Sequence, residues 1–359
     1  MKLKSFLQAF GIFAVLLTLI PLFAADFWWI RVFDYPHIQL TILTLTALAS
    51  YFIRFEMRSW RDYTFVLVLL ACFIFQFTKI YPYTPLSSLE AGKPGKNADI
   101  KDSFVILTSN VLQKNKKADL VINEIKKINP DLAVFTETNT RWQKDLQEGI
   151  GQMYPYKISA PLDNTYGMIL YSKLKLENPH TSYIVDDSIP SMHAVVQLAS
   201  GKKFQLHAIH PTPPMPQENP SSTDRDAELM KVALETLDAK MPVVVIGDFN
   251  DVAWSQSSHL FKKLGGLLDV RVGRNFYTTF DVNSIIMRWP LDQIFVTEEF
   301  RVADISKGSD VGSDHFPFYA KLYLQPELAK EQIPKKATKE EIKTARKEIR
   351  KEIRHDGHQ

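Results

Sequence analysis

Val243-Val-Val-Ile-Gly-Asp-Phe-Asn250 sets four β-branched apolar residues directly ahead of a glycine and two polar residues, Asp248 and Asn250. Four such side chains in a row read as a short strand buried on both faces. One residue separates Asp248 from Asn250, so on an extended loop both side chains point to the same side. An Asx turn after the strand is the plain structural reading of the pair.

The same arrangement, a short apolar strand with a polar residue at its end, recurs on either side of this segment. Phe104 to Thr108 leads into Asn110, Leu132 to Phe135 into Glu137, and Phe204 to Ile209 into His210. Asp292 opens the strand Gln293 to Val296, and Ser313-Asp-His315 precedes the strand Phe316 to Leu322. Met168 to Tyr171 and Ala194 to Leu198 are further strands. Helical spacing marks Ala118 to Ile128, Asn139 to Ile150, Asp224 to Asp238 and Ser255 to Leu264. Many strands with few helices between them predict two packed sheets with helices outside, not a doubly wound parallel sheet. Taken singly, each polar residue has an ordinary role: a turn for Asn110, a surface charge for Glu137, a partly buried histidine for His210, a solvated strand start for Asp292, a capping turn for Ser313 to His315. Taken together and in this order, they describe loops that meet above a rigid scaffold.

The chain has 359 residues, a formal net charge of +3 and one cysteine, Cys72. A disulfide framework and a cysteine-rich zinc site are excluded, and no global basic field marks a nucleic-acid binder.

Three apolar runs fill the first 80 residues: Phe6 to Phe23, Ile38 to Ile53 and Tyr63 to Phe77. Spanning the hydrocarbon core takes ~20 helical residues. The first run is adequate, the third reaches that length if it continues to Ile80, and the second is the weakest. Trp28, Trp29, Tyr51, Trp60 and Tyr81 sit near the ends as interfacial anchors would. A cleaved signal peptide is the alternative for the first run, and a buried soluble bundle the alternative for all three. Lys2, Lys4, Arg54, Arg58 and Arg61 put the N-terminus and second loop in the cytoplasm, so three spans place everything after Ile80 outside it; two would reverse that. The expected organisation is a membrane anchor over 1–80, an exposed Pro- and Gly-containing linker over 81–102, a catalytic domain over 103–324 and a charged tail over 325–359. Pro334 bounds the tail; Ile342, Ile349 and Ile353 give it one thin apolar stripe, which reads as a separate, solvated helical or disordered appendage.

Residues 103–324, about three-fifths of the chain, resemble the endonuclease/exonuclease/phosphatase superfamily, the DNase I-like group. The matching pieces are Ser109-Asn110, Pro130-Asp131 followed by Thr136-Glu137, Tyr166 to Ser172, His210 with Pro211 to Pro214, Arg225-Asp226, Gly247 to Asn250 with Trp254, Leu291-Asp292 and Ser313-Asp-His315. His210, where abasic-site enzymes carry tyrosine, is more similar to the phosphatase and sphingomyelinase side, and the His-Pro-x-Pro-Pro run resembles a membrane-linked bacterial branch. The resemblance implies a four-layer α/β sandwich, here preceded by transmembrane helices.

It also implies a divalent-metal-dependent hydrolase of phosphate esters. Such chemistry needs neutralised phosphoryl oxygens, an activated water and a stabilised leaving oxygen. Carboxylate and amide oxygens suit Mg²⁺ or Mn²⁺. Glu137 is the first choice as metal ligand, with Asn110 and Asp314 completing the shell as the family implies. By resemblance, Asp248 holds or deprotonates the attacking water, and Asn250 orients water or a phosphoryl oxygen. His315 contacts the phosphate with Asp292 fixing its tautomer, and His210 donates to a phosphoryl oxygen. The base is either Asp248 or the His315–Asp292 pair. Arg225 either orients the loop, meets phosphate, or is an exposed charge on a helix.

The substrate is nucleic acid or a phospholipid or sugar phosphate. Arg271, Arg274, Tyr277, Arg288 and Trp289 would serve a nuclease; Ile285, Ile286, Met287 and Trp289 would serve a lipid hydrolase. The expected partners are such a substrate and the lipid bilayer, with no obligate protein partner. The rival class is a non-catalytic membrane-tethered binding module on the same fold. It would require lost ligand positions, and none of the positions named above is lost.

Overall fold

The apolar runs of the first 80 residues all become helices in the computed structural model, which describes residues 2–23 and 26–356. They are α1 (Lys2–Leu19), α2 (Trp28–Arg31), α3 (His37–Tyr51) and α4 (Trp60–Ile80). The first and last are long and apolar enough to cross a membrane. At 15 residues, α3 rises roughly 22 Å, short of the ~30 Å hydrocarbon core. It qualifies only when joined to the segment Trp28–Asp34 across a 70° bend. Small residues let the three long helices approach closely: Ala14 and Ala47 are fully buried, and a Cβ on Gly11 would lie 2.5 Å from Phe65. At one end of this bundle Lys4 is paired with Asp62 at 2.8 Å and Glu56 at 3.1 Å.

The remaining elements are β1 (Ser103–Asn110), α5 (Ala118–Ile128), β2 (Leu132–Thr136), α6 (Thr140–Ile150), β3 (Tyr156–Ala160), β4 (Met168–Ser172), β5 (Lys175–Ser182), β6 (Ser191–Gln197), β7 (Lys203–Ile209), α7 (Thr223–Asp238), β8 (Val243–Asp248), α8 (Gln256–Leu264), β9 (Leu268–Asp269), β10 (Asp292–Val296), β11 (Phe300–Lys307), β12 (Phe318–Leu324) and α9 (Lys339–Asp356). The strands form two six-stranded sheets in the orders β11-β12-β1-β2-β4-β3 and β5-β6-β7-β8-β10-β9. Each sheet has one parallel pair, β1–β2 and β7–β8, joined by a helical crossover, and is otherwise antiparallel. Inner faces pack on each other through Phe104, Phe204 and Phe300, whose rings lie 4.8 to 6.2 Å apart. Val121, Ile125, Trp142 and Leu146 seat α5 and α6 on one outer face. Leu229, Val232, Ala233 and Phe261 seat α7 and α8 on the other. The result is the four-layer α/β sandwich that the strand pattern and the resemblance imply.

Two connecting regions depart from the sequence reading. The expected exposed linker lies against the sandwich: Tyr83 is buried and donates to the Ala253 carbonyl at 2.8 Å. Glu90 accepts from Lys262 at 2.7 Å and from the Asp269 N–H at 2.9 Å. The charged tail forms α9 and packs on α7 and α8 instead of standing free in solvent. The isoleucine stripe looks too thin for a core contact because it omits Ala345, which lies between Ile342 and Ile349 at helical spacing and is fully buried. A small side chain there lets α9 sit close. Lys263–Glu341, Lys231–Glu352 and Lys351–Asp26 pairs flank the contact at 2.6 to 2.8 Å.

Candidate active site

Strand register brings the polar strand ends to one rim. Asn110 pairs with Thr136 at the ends of the parallel β1 and β2. Ile209 pairs with Gly247 at the ends of β7 and β8. Antiparallel β10 starts at the same rim, with Asp292 opposite Asp248, and β12 starts beside Thr108 with Asp314 and His315 just before it. Gly247 is required here: with φ +150°, a Cβ would meet the Ile209 carbonyl oxygen at 1.9 Å. Glu137 and Asn250 themselves adopt left-handed backbone, φ 58° and 48°, which costs on the order of 1–3 kcal/mol for a non-glycine residue and clusters at functional sites.

Seven of the eight residues singled out from the sequence line one cleft of about 470 Å³: Asn110, Glu137, His210, Asp248, Asn250, Asp314 and His315. Asp292 stands behind, fully buried, with its carboxylate 2.8 Å from His315 Nδ1. Asp248 is central. Its Oδ2 accepts from Asn110 Nδ2 at 3.0 Å and lies 3.6 Å from His315 Nε2 and 3.8 Å from His210 Nε2. Its Oδ1 accepts from the Asn250 N–H at 3.0 Å.

Electrostatics divide these groups. Burial alone would lower the His315 pKa, but the Asp292 and Asp248 carboxylates prevail and raise it to about 10. Burial dominates at His210 and lowers its pKa, and the buried Nδ1 has no protein partner. Burial would raise Asp248, yet His315, His210 and the hydrogen bonds from Asn110 and Asn250 hold it below the usual carboxylate range. Burial raises Glu137, with Asp314 adding to the effect.

Hydrogen bonds fix how two asparagines face the cleft. Asn110 turns its amide nitrogen to Glu137 Oε1, at 2.8 Å, and to Asp248, while its oxygen accepts from the Leu112 N–H at 2.9 Å. Asn110 thereby clamps the two carboxylates together, and its oxygen keeps a second lone pair that a cation could use. The Asn250 amide donates one N–H to the Pro211 carbonyl at 2.9 Å, which leaves its second N–H and its Oδ1 for a phosphoryl oxygen or a water. Arg225, open between three readings, is buried and donates to the Asn250 carbonyl at 3.0 Å while pairing with Asp226 and Asp251. It orients the loop.

Clusters of carboxylate and imidazole atoms close enough to hold a metal ion are present. Asp248, Asp292 and His315 form one. A second, His193, His207 and Glu235, lies away from the cleft. There the two imidazoles hydrogen-bond Nδ1 to Nδ1 at 2.7 Å, and burial lowers their pKa values to about 3 and about 4.

Sequence reasoning missed the wall supplied by the segment between α1 and α3. Trp28, Val32 and Tyr35 line the cleft, and the Tyr35 hydroxyl donates to the Asn250 carbonyl at 2.8 Å. The segment is held by Trp254 Nε1 donating to the Asp34 carbonyl at 2.8 Å and by the Trp28 N–H donating to Pro220 at 2.9 Å. The signal was the Trp28, Trp29 and Tyr35 content, which in a membrane loop reads first as interfacial anchoring.

The endonuclease/exonuclease/phosphatase family matches residues 107–315, so the helical bundle and the Trp28 to Tyr35 wall lie outside the match. D. rerio TDP2, solved in complex with single strand DNA product, is similar at TM-score 0.53 and 19% identity over 61% of this chain and 98% of its own. An endonuclease/exonuclease/phosphatase from Bacteroides vulgatus is similar at TM-score 0.51 and 21% identity, over 62% and 99%. The human nocturnin catalytic domain with bound sulfate anion is similar at TM-score 0.50 and 16% identity, over 63% and 96%. At these identities the likeness establishes the fold. No curated protein matches the chain in sequence.

Proposed function

The chain belongs to the endonuclease/exonuclease/phosphatase family, and on that premise we propose that it is a membrane-anchored, divalent-metal-dependent hydrolase of phosphate esters. The observation that carries this reading is the position of Asp248, within 3.8 Å of both His210 and His315 and bridged to Glu137 by one asparagine amide.

Glu137 and Asp314 are the residues that would hold Mg²⁺ or Mn²⁺. The donor chemistry fits, because both are hard carboxylates lining the cleft, and a second negative charge near Glu137 is a condition that a cation relieves. Bound there, the ion supplies neutralisation of the phosphoryl oxygens and polarisation of phosphorus. Asp248 orients the attacking water and takes its proton. His315, protonated at neutral pH, is not free to act as base; it donates to the phosphate from Nε2 while Asp292 fixes the ring through Nδ1. His210, kept neutral by burial, donates one hydrogen bond to a phosphoryl oxygen.

With the bent pair Trp28–Asp34 and His37–Arg54 counted as one span, the chain would cross a cell membrane three times and carry its catalytic domain opposite the N-terminus, on the extracytoplasmic side. Lys4, Glu56 and Asp62 meet at one end, with Arg54, Arg58 and Arg61 in the same loop, while residues 26–36 and the sandwich meet at the other. Retention of the positive residues in the cytoplasm would favour a sandwich outside it. A full-length chain carrying Asp248→Ala or His315→Ala should lose at least ~10²-fold in turnover with its fold intact. Near-wild-type rates in either variant reject the assigned roles.

A further inference from the structure

The cleft has an unusual lining for an enzyme that would grip a polyanion. Among its described lining residues there is no lysine or arginine. Of the basic and aromatic residues that the sequence offered for a nucleic acid, only Trp289 lines the cleft; the other four are committed elsewhere. Arg271 is fully buried against Asp269 and Gln293. Arg274 donates to the Val270, Ala91 and Val302 carbonyls. Arg288 donates to the Asp281 and Val282 carbonyls. Tyr277 packs on Phe318. Long nucleic acids are held through many cationic contacts to phosphate, and this cleft supplies none.

What the cleft does supply is apolar surface joined to the membrane helices. Trp28, Val32, Met215, Phe280 and Trp289 form its walls. Phe280, Trp289 and Leu291 belong to the same packed cluster as Ile38, Phe77 and Ile80, the residues at the ends of α3 and α4. Gln39, in the first turn of α3, donates to the Ile286 carbonyl at 2.5 Å. The tip of that loop points its apolar side chains outward: Ile285 is 90%, Ile286 72% and Met287 46% exposed. Three consecutive exposed apolar side chains beside the entry of a membrane helix are in place to lie in the headgroup and acyl boundary.

We infer that the substrate is a phosphate ester carried on a lipid that stays in the bilayer. Its phosphate reaches Glu137, His210 and His315, and its apolar part leaves along the Trp28 and Trp289 walls toward α3. This rests on the proposed hydrolase reading. In the reaction the water oxygen bonds to phosphorus and the ester oxygen departs as an alcohol. One water proton passes to the leaving oxygen, and the other stays on the new P–OH group.

The test uses the full chain in proteoliposomes with Mg²⁺ and three probes: bilayer phospholipids of several headgroups, bis(p-nitrophenyl) phosphate, and a single-stranded oligonucleotide. The comparison variant replaces the loop tip, Ile285→Ser, Ile286→Ser and Met287→Ser together; none of the three lines the cleft. The expected result is cleavage of a bilayer lipid that falls at least about tenfold in the variant, with the soluble diester cleaved at an unchanged rate. Equal lipid rates in the two proteins, or equal losses on lipid and soluble diester, overturn the inference. So does cleavage of the oligonucleotide or soluble diester with every lipid untouched, an outcome that leaves the hydrolase reading standing. If no probe is cleaved, the hydrolase reading itself fails.

Discussion

The Tyr35 hydroxyl donates to the carbonyl oxygen of Asn250 at 2.8 Å, joining two residues 215 positions apart. One belongs to the connection between the apolar N-terminal helices, the other to the loop that carries Asp248. Arg225 donates to the same oxygen. The N-terminal helical region is thereby part of the wall of the candidate site.

Tyr35→Phe removes one of the two donors. A buried hydrogen bond contributes about 1 kcal/mol, so turnover should fall by roughly threefold to tenfold, because the Asn250 N–H that holds Asp248 loses part of its support. Steady-state kinetics on a soluble ester checks this. Unchanged turnover would mean that Arg225 alone fixes the loop.

The His315 pKa gives a pH dependence with a defined sign. Burial opposes the charge, but Asp292 and Asp248 raise the pKa to about 10. A step that needs imidazolium is therefore available below that pH and lost above it. Asp292→Asn removes the foremost raising partner, so the alkaline limb of the kcat profile should move to lower pH. A limb that stays in place while turnover is retained contradicts the role of the pair.

Glu228 provides a stability test away from the cleft. It is buried in α7 with Oε1 unpartnered, and burial raises its pKa to about 8 against the partial opposition of Lys231. Its unfolded value is about 4.3. Between those values the native state holds a proton that the unfolded state releases, so stability falls as pH rises through that window. Glu228→Gln should leave Tm nearly unchanged at pH 4 and raise it at pH 8. Equal differences at the two pH values would refute the buried-acid reading.

The sequence made the interior strands legible and hid the edges. The strands β1, β2, β4, β6, β7, β8, β10 and β12, all read in advance, lie inside the sheets. Those not read, β3, β5, β9 and β11, are the four edge strands. An interior strand is covered on both faces and reads as a continuous apolar run. An edge strand such as Lys175–Ser182 is half exposed and carries the lysine, glutamate and proline that keep an edge from pairing further.

The site followed the same logic. Asp248, His315 and Asp292 were readable because each adjoins a buried strand. The direction of the Asn110 amide was not, since it depends on the Leu112 N–H. Nor was the place of Tyr35, because its contact with Asn250 is fixed by how α3 and α4 meet the sandwich. Ala345 escaped notice for a simpler reason: alanine in a charged helix carries no apolar signal of its own.

Metal dependence is the most direct test of the central claim. The full-length chain, purified and stripped of divalent ions, would be assayed for phosphate-ester hydrolysis in excess chelator and again after added Mg²⁺ or Mn²⁺, alongside Glu137→Gln. Hydrolysis is expected only with the ion present, and Glu137→Gln should need a higher ion concentration to reach half of its own maximal rate. Full activity of the stripped protein in chelator, or a variant with the wild-type ion requirement, would contradict the account.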